Sequence, residues 1–145
     1  MATVEVAFTP LPAHVRTARL VATAVARRSG VDESLLDEVR LAVGEACSRA
    51  VEAHRKYCPA EPVRVTLTDE GERFAVVVTD AAPADPSVAA DAMTPGPLAA
   101  KGAIQQLPPG VGLAVIAGLA DDVRIESAGP GTSIAMSWKR VRAGA

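Results

Sequence analysis

The chain has 145 residues, 49% of them hydrophobic, and its 15 basic and 17 acidic side chains leave a formal charge of −2. That is the length of one ordinary domain with enough apolar surface for a core, which favours a folded domain over disorder, and the charge balance argues against a surface built for nucleic acid while leaving a local basic patch open. No apolar run approaches the roughly 20 residues that cross a bilayer, and the first ten residues lack the charged start and apolar core of a secretory signal.

Val4-Glu5-Val6-Ala7-Phe8 alternates as a short strand does, and Pro10 and Pro12 close it. From Ala13 to Arg28, Val15, Ala18, Val21, Ala22 and Val25 recur at steps of three and four, which predicts an amphipathic helix stopped by Ser29-Gly30. Asp32 or Glu33 opens a second helix, with Leu35, Val39, Ala42, Ala46 and Ala50 along one face, running to about Tyr57 and ended by Pro59. Cys47 and Cys58 lie eleven positions apart along it. At about 1.5 Å per residue that is roughly 16 Å, beyond the reach of a disulfide. Their surroundings match no metal pattern, so both read as reduced thiols of a cytoplasmic protein.

Val63, Val65 and Leu67 alternate with Arg64, Thr66 and Thr68, Glu70-Gly71-Glu72 turns the chain, and Phe74 to Val78 is a more buried partner strand. The stretch from Ala81 to Pro109 holds six of the eleven prolines and little periodicity beyond a short helix near Val88 to Met93. A connection this long in a compact domain reads as a lid-like loop, expected to be mobile or ordered only by a ligand or partner. Gly110-Val111-Gly112-Leu113-Ala114-Val115-Ile116 then opens an apolar helix reaching Ala120. Val123 to Glu126 and Thr132 to Trp138 form a second hairpin through Ala128-Gly129-Pro130-Gly131, with Met136 and Trp138 packing the sheet face.

The order of elements is strand, two helices, hairpin, long loop, helix, hairpin, with no internal repeat. Strands that come as hairpins predict an α+β two-layer sandwich: a mainly antiparallel mixed sheet with helices on one face. Residues 1–145 read as a single domain, with the loop 81–109 inside it.

Serine-nucleophile, zinc-ligand and phosphate-loop motifs are absent. Three strings carry a resemblance instead: Leu36-Asp37-Glu38-Val39-Arg40-Leu41-Ala42-Val43-Gly44-Glu45-Ala46-Cys47, then Gly110 to Ile116, then Leu119-Ala120-Asp121-Asp122-Val123-Arg124-Ile125 with Gly129-Pro130-Gly131-Thr132. In this order and spacing they resemble the anti-sigma factors with a serine-kinase-type ATPase domain, in the superfamily of histidine kinases, gyrase and Hsp90. The resemblance covers about residues 4 to 138. It implies a histidine-kinase-like ATPase fold, a general base and magnesium ligand on the first string's helix, and a glycine box after the lid.

Two departures stand out. The family pattern places a metal-ligating asparagine four residues after the glutamate matching Glu45, and here that position is Arg49, whose guanidinium has donors but no acceptor. The box Asp-x-Gly-x-Gly reads Asp80-Ala81-Ala82-Pro83-Ala84, so the carboxylate is kept and both glycines are lost. Glu45 is then either a catalytic base or a groove glutamate paired with Arg49 one turn later. Arg49 is a candidate phosphate contact. Asp80 either meets the adenine amino group, as the resemblance implies, or ends its strand. Gly110, Val111, Gly112 and Leu113 either meet a phosphate at a helix start or form a flexible lead-in to a buried helix. Thr132, beside Gly131, is a nucleotide contact by resemblance or simple hairpin geometry. His54 reads as a solvated helix histidine, and His14 receives no role.

The resemblance implies an anti-sigma regulatory protein that captures a sigma factor of RNA polymerase and is countered by an antagonist protein, with homodimerisation usual in the family. Partner switching without efficient kinase activity is the expectation. ATP or another nucleotide is an open cofactor, and no magnesium site is expected. Two alternatives are an active ATP-dependent serine kinase acting on the antagonist, and a sensor for a different nucleotide in the altered pocket.

Overall fold

A computed structural model describes residues 2–83, 113–128 and 131–139. The expected loop beyond Pro83, its Val88 to Met93 helix, the Gly110-Val111-Gly112 string and the Gly129-Pro130 turn lie outside the described residues. The elements are β1 (Ala2–Phe8), α1 (Pro12–Arg28), α2 (Glu33–Tyr57), β2 (Val63–Asp69), β3 (Arg73–Asp80), α3 (Leu113–Leu119), β4 (Asp122–Ala128) and β5 (Gly131–Lys139).

Local chemistry sets the helix ends. Proline at the first position of α1 has its φ pre-set and gives up an N–H that had no partner there. The helix stops where Gly30 takes φ 87° and its N–H bonds to the Arg27 carbonyl. Asp32 caps α2 by accepting the Ser34 N–H at 2.9 Å, and that bond holds its carboxyl below the usual aspartate value. Between the hairpin strands β2 and β3, Gly71 takes φ 86°, a conformation open to glycine at little cost.

The five strands lie in the order β1-β2-β3-β5-β4, and every pairing is antiparallel. One face of the sheet carries the helices. Val63, Val65 and Leu67 of β2, Phe74, Val76 and Val78 of β3, and Ile134, Met136 and Trp138 of β5 are all buried in one core. Opposite them lie Leu36, Val39, Val43 and Cys47 of α2 and Ile116 of α3. The expectation for Met136 and Trp138 holds. Trp138 pairs with Phe74 at 6.3 Å between ring centroids, and its Nε1–H donates to the Leu119 carbonyl at 2.9 Å, tying α3 to β5.

Helix α1 packs on α2 through Val15, Ala18, Ala22 and Ala26. The α2 residue facing Arg19 is Gly44, where a Cβ would sit 2.7 Å from the arginine Cδ. Its hydrogen therefore lets the Arg19 stem lie flat on the helix. Both cysteines are free, as expected. Burial pushes the Cys47 thiol up to about 12 against the opposing field of Arg19. Cys58 caps the end of α2 instead of lying within it.

Candidate functional site

The period-two pattern of β3 runs Phe74, Val76, Val78, Asp80, all buried on the helix side. The last of these is a carboxylate in phase with the core, so it must find a partner or pay a large desolvation cost. The side chain of Asp80 is only 4% exposed. Arg49, on the face of α2 above it, is 12% exposed and donates to Asp80 Oδ2 from Nη1 at 3.2 Å. The other carboxylate oxygen, Oδ1, accepts the Ala82 N–H at 3.1 Å.

The backbone on both sides of Asp80 is also held. The Ala81 N–H donates to His54 Nε2 at 2.8 Å. That nitrogen is thereby the acceptor, so Nδ1 carries the proton and donates to the Glu61 carbonyl at 2.8 Å. Across the sheet, Asp80 is paired with the buried Thr132. A Cβ on the adjacent Gly131 would overlap the Asp80 carbonyl, so this turn glycine is also demanded by close approach to β3.

Two expectations need correction. Arg49 does not pair with Glu45. Its guanidinium turns inward to Asp80, because a buried carboxylate attracts it far more strongly than a half-buried glutamate one turn away. Glu45 stays half-buried and joins none of the ion pairs among the described residues. His54 is not solvated. It has no accessible surface and joins the end of α2 to the end of β3.

Of the remaining candidates, Thr132 lies beside Asp80 in the sheet register, Leu113 begins α3, and Gly110, Val111 and Gly112 fall outside the described residues. Ala84 falls outside them too, but Ala82 is described and is 3% exposed. Its methyl is packed in the space that a glycine would leave open. Cys58 lies close enough for its thiol to be raised, first by burial and then by the Glu61 and Asp80 carboxylates.

The described residues do not fit an adenine nucleotide with its magnesium ion. Each oxygen of the Asp80 carboxylate already accepts one hydrogen bond from the chain, the next position but one carries a methyl, and Arg49, where the resemblance implies a metal ligand, is a cation without an acceptor. No step of phosphoryl transfer follows from this arrangement.

The family model for the histidine kinase-like ATPase domain matches residues 8–138. Among solved structures, the RsbU and RsbW domains of Rv1364c from Mycobacterium tuberculosis share 18% identity over 98% of this chain, with a TM-score of 0.67. This chain spans about a third of that one, 33% of its length. The nucleotide-free catalytic domain of histidine kinase ThkA matches over 97% of both chains, with 12% identity and a TM-score of 0.54. A second nucleotide-free form of it gives 13% and 0.52. A search of curated proteins gave no match. No helix among the described residues is long and apolar enough to cross a membrane.

Proposed function

Because the chain belongs to the histidine kinase-like ATPase domain family, we propose that it is an anti-sigma regulator that works by capturing protein partners without phosphorylating them. The partners on this reading are a sigma factor of RNA polymerase and an antagonist protein that competes with it. The likeness to the RsbW-containing structure, together with the three strings in family order, supports the anti-sigma part. One observation carries the rest: Arg49, standing where a magnesium ligand is expected, is spent on Asp80. Glu45 then has no held phosphate to serve, whereas the helices and sheet that would present a docking surface are intact.

The test is direct. The purified chain is immobilised, and candidate sigma factors and antagonists are passed over it without nucleotide. The expected result is saturable sigma-factor binding that the antagonist displaces, with no labelled phosphate passing from ATP to the antagonist. Magnesium-dependent transfer that Glu45→Ala abolishes would establish the kinase alternative instead.

A further inference from the structure

We infer that Arg49 is an internal ligand: its guanidinium permanently occupies Asp80 and holds the exit of β3 in one conformation, so nucleotide does not govern the protein. The inference rests on the family fold and on this ion pair, and is independent of which partner the chain captures.

A carboxylate facing a core needs a counter-group whenever the protein is folded. In a nucleotide-gated chain the ligand can supply that group, and occupancy then decides how the strand end is held. Here the chain itself supplies four contacts around the strand end. Arg49 takes one oxygen of Asp80 and the Ala82 N–H takes the other. His54 takes the Ala81 N–H, and Gly131 admits the Asp80 carbonyl at close range. The four contacts draw on α2, β3, the segment after β3, and β5, so the arrangement is part of the folded frame.

A base that sought Asp80 would have to share its carboxylate with a guanidinium that is 12% exposed, or displace it. Displacing the guanidinium outright would strand it, a cost that reduces affinity by about a hundredfold or more. The buried Ala82 methyl adds a steric obstacle that does not depend on charge. Partner capture should therefore have the same affinity with and without ATP.

The experiment compares thermal unfolding of the chain, of Arg49→Met, of Asp80→Leu and of the Arg49→Met/Asp80→Leu double variant. Each is measured alone and with millimolar Mg·ATP, Mg·ADP or Mg·GTP. The unaltered chain should unfold at the same temperature in every solution. Each single variant should unfold well below it or fail to fold, and the double variant, which has no unpaired charge, should recover most of the loss. If the losses of the single variants simply add in the double variant, or if the double also fails to fold, the coupling is refuted. Stabilisation of the unaltered chain by a nucleotide, lost in Asp80→Asn, would overturn the proposal outright. Sigma-factor binding by the unaltered chain is scored separately, so failure here and failure of the proposed function are distinguishable.

Discussion

Replacing His54 with phenylalanine keeps a ring of similar size in a site with no solvent exposure, and removes both of its hydrogen bonds. The Glu61 residue is exposed, so water can replace the imidazole at its carbonyl for about 0.5–1 kcal/mol. The Ala81 N–H lies deeper, and leaving it unpaired costs about 1–2 kcal/mol. The sum, roughly 1.5–3 kcal/mol, lowers the unfolding midpoint by about 5–10 °C for a chain of this length. Glutamine and asparagine separate the two bonds. The Gln oxygen reaches the place of Nε2 and restores the acceptor for Ala81, whereas the shorter Asn reaches only the place of Nδ1. His54→Gln should therefore recover more stability than His54→Asn. The single tryptophan, Trp138, is fully buried and reports urea unfolding by fluorescence. If His54→Phe unfolds within about 0.5 kcal/mol of the unaltered chain, the two bonds do not hold the strand end and the reasoning fails.

Two further predictions use the same measurement and a thiol titration. Gly44→Ala should be close to neutral: it gains up to about 1 kcal/mol of helix propensity and displaces only the flexible Arg19 stem, whereas Gly131→Ala meets backbone and should cost about 3 kcal/mol or more. Equal effects of the two would refute the close approach at Asp80. A disulfide reagent at pH 8 should titrate one thiol in the native chain, the half-exposed Cys58, because Cys47 is buried with its thiol raised to about 12 and should react only on unfolding.

Much of the frame was legible from periodicity. The apolar spacing and the Gly30 stop placed α1 to within a residue at its start, and the Asp32–Glu33 signal placed the start of α2. Strand alternation similarly located both hairpins, one or two residues short at most ends. The ends were missed because flanking residues such as Arg73 and Lys139 pair through backbone that their side chains do not announce. The site was less legible, though two of its signals were present. Asp80 continues the phase of Phe74, Val76 and Val78, and His54 continues the helical spacing of Val43, Cys47, Ala50 and Val51. Either alternation marks a polar side chain as core-facing and in need of a partner. The partner itself could not be read. Arg49 has an attractive i, i−4 neighbour in Glu45, and only the packing of α2 across β3 shows that its guanidinium goes inward. Gly131 likewise reads as an ordinary turn glycine until the sheet brings the Asp80 carbonyl against it.

The pairing of Arg49 with Asp80 also bears on how such a chain changes over generations. The two codons are 31 residues apart, yet neither can drift alone, because loss of either charge strands the other below the surface. An asparagine at 49 would leave the buried Asp80 carboxylate with the Ala82 N–H as its remaining hydrogen-bond donor among the described residues. A first substitution at either position is thus harmful by itself, and only a second at the other relieves it. The pair behaves as a ratchet: once the two charges are buried together, exposed charges such as Glu5 and Glu33 can vary far more freely than residues 49 and 80.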